Sequence, residues 1–225
     1  MATDPINEYL ATAKKATLQM AGGAEALQAA VHQRWSVKTG ADAAAENLVG
    51  QTPTPTTIAS LRALPVPAVL PPDGRSAGTE ETVWELTATL TGYKHESDGD
   101  YHLVIADGQG HHMIAEIPDP AALAPGSFFA DQITAARQAF DNQFGLKLTA
   151  AAQPPAAQPA ASPEFAAAAV APALIPASES VTVRGLGFFD FAHGQDGVAP
   201  NAIELHPVIS IDFHGPAAPA PLPQA

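Results

Sequence analysis

Two short stretches concentrate the side chains that could do chemistry. The first, Tyr93–His102, holds His95, Glu96, Asp98, Asp100 and His102. The second, Asp190–His206, holds His193, Gln195, Asp196, Asn201, Glu204 and His206. Asp98-Gly99-Asp100 offers hard oxygen donors suited to calcium, and His102, His193 and His206 offer imidazole nitrogens suited to zinc or another transition ion. A divalent-metal site of Asp98, Asp100, His102, His193 and His206 is therefore one reading, and metal-dependent hydrolysis is the activity it would serve. No full metal motif stands in the sequence, neither HExxH nor a calcium loop closed by glutamate. The plainer reading is that Asp and Gly make turns here and the histidines hydrogen-bond loop backbone. Turn chemistry alone accounts for these residue types, so that reading is preferred and no cofactor is expected. Glu204 and His206 share a strand face, as a general-base pair requires, but no serine sits in a nucleophile elbow. Gly185-Leu186-Gly187 lacks the further glycines and the lysine of a phosphate loop. Phe188, Phe189 and Phe191 suit a core better than a stacking platform.

The elements that must carry these residues follow from periodicity. Residues 1–35 read as an amphipathic helix over 4–33, opened by Asp4-Pro5 and weakened at Gly22-Gly23. Residues 36–80 are proline-rich and read as a strap, with short helices over Ala41–Val49 and Thr57–Leu64, the latter capped by Thr56 or Thr57. From Thr82 the pattern has period two: a strand through Trp84, Leu86, Ala88 and Leu90, a second through Tyr101, Leu103 and Ile105, and a third over His112–Ile117. Asp107-Gly108-Gln109-Gly110 is a hairpin signal between the last two. A helix follows, capped by Ser127 and ended by Gly145, with Phe128, Phe129, Ile133, Ala136, Phe140 and Phe144 as its stripe. The Ala/Pro-rich insertion 149–178 reads as a flexible linker inside the domain. Strands over Val181–Phe189 and Ala202–Phe213 complete the set, with Gly185 and Gly187 marking a bulge and Pro207 an edge, bulge or break. The tail 214–225 reads as disordered.

Three strands, a helix and two more strands is the element order of an OB-fold. The expected class is thus mainly β with helices (α+β), an OB-like five-stranded antiparallel barrel over 81–213 with its helix between strands three and four. Ligands of such barrels meet the loops between strands one and two and between strands four and five. Here those are Tyr93–Asp100 and Phe191–Asn201, the two polar stretches.

The runs ESDGDYHLVIADGQGHHMIAEIPDP and GFFDFAHGQDGVAPNAIELHPVISIDF, with the upstream VKTGADA, resemble a group of uncharacterised bacterial proteins sharing such motifs, over Arg34 to Phe213. That likeness brings no activity with it. The Asp98-Gly99-Asp100 start and the Glu204–Val208 run are also similar to thermonuclease-like OB domains. Such a site implies carboxylates for calcium and arginines for the developing phosphate charge. The five arginines are Arg34, Arg62, Arg75, Arg137 and Arg184, and none lies in the third strand, so the resemblance extends to fold and not to nuclease chemistry.

Charge narrows the partners. The net charge is −13, and residues beyond 50 hold 18 acids against 6 bases, which would repel a polyphosphate. Nucleic acid is therefore an unexpected partner, and a small molecule or a protein the expected one. Cysteine is absent, so no disulfide or thiolate site exists. No stretch reads as a secretory signal or a membrane span, and a cytoplasmic protein is expected, a mature secreted form being the alternative. The reading that emerges is a noncatalytic binding domain using the 93–102 and 190–206 loops, through His95, Asp98, Asp100, His102, His193, Gln195, Asp196, Asn201, Glu204 and His206. A metal-dependent hydrolase is the first alternative. A structural or assembly protein, self-associating through its N-terminal helix, is the second.

Overall fold

The structure is a computed structural model that describes residues 34–146, 173–190 and 195–217. The chain divides into two compact units, Met1–Trp35 and Ser36–Ala225. The helix expected over 4–33, most of the 149–178 linker, His193 and most of the C-terminal tail lie outside the described residues.

A helical turn, α1 (Trp35–Lys38), and a 3-10 turn at Ala45–Leu48 begin the strap, the latter standing in the middle of the helix expected over Ala41–Val49. Thr54–Pro55 forms a two-residue strand, β1. Helix α2 (Ile58–Arg62) starts where its cap predicts: Thr57 is extended, and its side-chain oxygen accepts the Ser60 N–H at 3.1 Å. The strap is pinned by Arg75, whose guanidinium forks onto the Asp42 carboxylate (2.8 Å) and donates to the backbone oxygens of Val37 and Glu80.

A 3-10 turn at Thr79–Glu81 leads into five longer strands and one helix. They are β2 (Val83–His95), β3 (Tyr101–Ala106), β4 (His112–Ile117), α3 (Ala130–Phe144), β5 (Ile175–Phe189) and β6 (Ile203–Pro216). They form an α+β unit with one six-stranded sheet, ordered β1-β2-β3-β4-β6-β5. The long strand β2 pairs with β3 along one part and with β5 along another, so the hydrogen bonding returns on itself. All these pairings are antiparallel except β1–β2 and β4–β6.

Alternation places Leu86, Ala88 and Leu90 of β2, Leu103 and Ile105 of β3, and Met113, Ala115 and Ile117 of β4 on one core. Helix α3 lays Ala136 and Phe140 on the same core, and Gly145 ends it in the left-handed region at φ 63°. A smaller cluster joins Val83 and Leu186 to Ala45, Leu48, Phe129 and Ile133.

The structure corrects several boundaries. Tyr93 and His95, expected in a loop, belong to β2, because Tyr93 pairs with Ile175 as well as Leu103. For the same reason β5 begins at Ile175, inside the expected linker, and β6 runs to Pro216, inside the expected tail. Ser127 is not the helix cap. Its hydroxyl donates to Thr39 O at 2.6 Å, and Phe129 holds the cap position. The expected bulge is present, since β5 and β6 slip register on either side of Gly185, opposite the segment containing Pro207. Among the described residues no helix is long and apolar enough to cross a membrane.

Candidate functional site: a buried histidine–carboxylate row

Over part of β3, β4 and β6 the residues that face away from the main core are not wet. His102 and Val104 on β3, Ile114 and Glu116 on β4, and Glu204 and His206 on β6 are all buried. The β5–β6 connection folds back over this face. Gly197, at φ 86°, lies so close that a Cβ there would sit 2.8 Å from a Val104 methyl. Only glycine satisfies both the backbone angle and the approach.

Strand register then aligns the polar side chains. His102 pairs with Glu116 across β3–β4, and Ile114 with Glu204 across the parallel β4–β6. Glu116 thereby stands between two histidines. Its Oε1 is 2.9 Å from His102 Nδ1, and its Oε2 is 3.0 Å from His206 Nδ1. His206 Nδ1 is also 3.1 Å from Glu204 Oε1. On the outer flank Lys94 Nζ meets Glu96 Oε1 at 3.1 Å, and that oxygen is 3.5 Å from His102 Nδ1. At the other flank Lys38 Nζ pairs with Asp190 at 3.3 Å and lies 5.3 Å above the Phe188 ring.

These contacts set the protonation states. Burial alone would push a carboxyl up, yet the two histidine hydrogen bonds hold Glu116 well below the usual range. Burial and the Glu116 charge push Glu204 the other way, to about 7. Burial would discharge His206, but Asp100, Glu116 and Glu204 outweigh it and raise its pKa well above the ordinary histidine value. His102 is raised against its own burial by Glu116, by the Asp196 carbonyl and by Glu96. Lys38 is raised against its burial by Glu204, Asp190 and Glu116. The row is thus an ionised Glu116 clasped by cationic rings, next to a carboxyl that favours its neutral form.

The two polar loops do converge. His102 Nε2 bonds the Asp196 backbone oxygen at 2.8 Å, which ties the β5–β6 connection to β3. Asp98 accepts the Asp100 N–H at 3.2 Å, the turn role expected of it, and burial with the neighbouring Asp100 charge pushes its carboxyl up to about 6. Asp100 is buried, and its Oδ1 accepts the Asp119 N–H at 2.9 Å. Asn201 is structural: its amide donates to Leu61 O and Leu64 O, holding the strap. His95 is exposed on β2, Gln195 is half-buried and Asp196 is exposed. His193 lies outside the described residues. Phe188 and Phe189 are buried, as expected of core residues.

Glu116, Lys38 and Lys94 escaped the sequence reading. Glu116 sits in HHMIAEI, where an alternating strand assigns it to a solvated face. The missed signal is parity: His102, Glu116, Glu204 and His206 all occupy the positions opposite to the core-facing ones.

No protein-family model matches the chain, and a search of curated proteins gives no match. Among solved structures, the chain is similar to a putative aspartyl-tRNA synthetase from Leishmania major Friedlin, at 11% identity and a TM-score of 0.36, over 77% of this chain. The match spans 23% of that protein's length.

Proposed function

We propose that this chain is a noncatalytic binding module on an OB-like barrel, which takes a small-molecule or protein ligand at the edge formed by the 93–102 and 190–206 stretches. The ring of pairings, with its parallel β4–β6 contact and its helix between β4 and β5, supports the OB-like assignment. One observation carries the binding edge: the 2.8 Å bond from His102 to the Asp196 carbonyl, which fastens both stretches into one surface. In this reading the buried row is the frame and the outer residues make the contacts. His95, Asp98, Gln195 and Asp196 are at least partly open to solvent on that edge. The acidic balance favours a basic or neutral ligand over a polyphosphate.

The test is nitrogen-15 shift mapping of the full chain, in EDTA, against lysine- and arginine-rich decapeptides, neutral oligosaccharides and a single-stranded DNA oligomer. The reading expects shifts confined to residues near 95–98 and 195–198 with a peptide or sugar, and none with DNA. His95→Ala with Asp196→Ala should erase them and leave the melting curve unchanged. Shifts elsewhere, or with DNA alone, would overturn it.

A further inference from the structure

The buried row leaves two atoms over. Asp100 Oδ2 and His206 Nε2 belong to side chains that are each only 1% exposed, they face one another at 3.6 Å, and neither has a hydrogen-bond partner. That separation is too long for a hydrogen bond. It matches two donors that share one ion: ligands each about 2.1 Å from a metal, at a near-tetrahedral angle, stand roughly 3.5 Å apart.

The rest of both side chains is already anchored. Asp100 Oδ1 is held by the Asp119 N–H, and His206 Nδ1 faces the carboxylates of Glu116 and Glu204. A carboxylate on one ring nitrogen fixes the ring and aims the other nitrogen, whose proton an incoming ion displaces, which is how metal-bound histidines are generally held. One donor atom from each of Asp100, Glu116 and His206 lies within 4.8 Å of the others.

We propose that Asp100 and His206, with Glu116 orienting the ring and within reach as a third donor, bind one divalent first-row transition ion in this gap. One imidazole with carboxylates favours zinc or manganese over calcium or magnesium. This donor set differs from the one the sequence suggests. His102 spends both ring nitrogens, on Glu116 and on the Asp196 carbonyl, and Asp98 is engaged by its own turn. The proposed ion is independent of the binding edge, whose test runs in EDTA.

The experiment strips the full chain with EDTA and titrates it with Zn²⁺, Mn²⁺, Co²⁺ and Ca²⁺ by calorimetry, with visible absorption following Co²⁺. One transition ion per chain is expected, bound at least tenfold more tightly than Ca²⁺, with a raised melting temperature. Asp100→Asn keeps the shape and the Asp119 contact and should weaken binding at least tenfold, whereas Asp98→Asn should not. Should Asp100→Asn fail to fold, histidine ring resonances of the unsubstituted chain decide: Zn²⁺ must shift His206 and spare His95 and His214. Absence of transition-ion binding at millimolar concentration, undiminished binding by Asp100→Asn, or shifts on His95 or His214 in place of His206 would overturn the proposal.

Discussion

Replacing Glu116 by glutamine tests the physical account of the row most directly. Glu116 accepts from two rings through two oxygens, at 2.9 and 3.0 Å. A glutamine retains one acceptor and turns an NH₂ toward the second ring, so one buried N–H must face a donor. Removing one partner of a buried ion pair costs about 3–5 kcal/mol. Retention of one acceptor places Glu116→Gln near the lower end, about 3 kcal/mol, a large share of a typical 5–15 kcal/mol total. Glu204→Gln supplies the contrast. Glu204 is pushed up to about 7 and so favours its neutral form, which an amide mimics, and a loss under about 1 kcal/mol is expected. Urea unfolding in EDTA at pH 7, with unchanged m-values, measures both. Equal losses, or a Glu116→Gln loss under about 1 kcal/mol, would refute the assignment of charges.

The pH profile of the metal-free chain follows from the same assignment. Glu116 is lowered, so its contribution is present above the ordinary value of 4.5 and disappears as pH falls through its folded value. His102 and His206 are raised, so theirs is complete below 6.5 and disappears as pH rises through their folded values. Glu204 is raised, so its ionisation costs stability as pH climbs from 4.5 to about 7. Stability should therefore peak at mildly acidic pH, and Glu204→Gln should flatten only the fall toward neutrality. A maximum above pH 8 would contradict this.

Three further substitutions probe the frame. Gly197→Ala meets both φ 86° and the Val104 methyls, and should cost about 2 kcal/mol or more in a denaturant melt, whereas Gly108→Ala, with nothing within 4 Å, should change little. Arg75→Ala removes the counter-charge of the buried Asp42 carboxylate and one donor each from the Val37 and Glu80 backbone oxygens, so a loss of about 3–5 kcal/mol by urea unfolding is expected. Thr57→Ala removes a helix cap and should lower stability by about 1 kcal/mol in the same assay.

Features governed by neighbours in sequence were legible before the structure. The Thr57 cap, the Asp107–Gly110 hairpin turn, the Gly185 irregularity and the order of strands and helix all arise from local chemistry or from period-two patterning. What depended on distant chain was misread. The outer face of β3, β4 and β6 looks polar and therefore wet, yet Gly197 lets a connection from some 90 residues away lie upon it. Glu116 consequently reads as an ordinary surface glutamate, although it anchors two buried rings. Local patterning likewise makes β2, β5 and β6 too short, because Tyr93↔Ile175 and Glu179↔Pro216 hold one another in place across the fold and no local pattern announces them.

The smallest strand has a consequence for the chain's behaviour in crowded solution. β5 covers one side of β2 from Val83 onward, but β3 reaches the other side only from Thr89. The first residues of β2 would thus offer bare N–H and C=O groups, a template on which a second molecule could add a strand. Thr54–Pro55 occupies that place, reinforced by the Thr56 N–H to Glu85 O at 2.8 Å. Pro55 also has no N–H to give to a newcomer. Two residues of the strap thus act as a guard against edge-to-edge aggregation, and a deletion that spared every residue of the core but removed them would uncover the sheet.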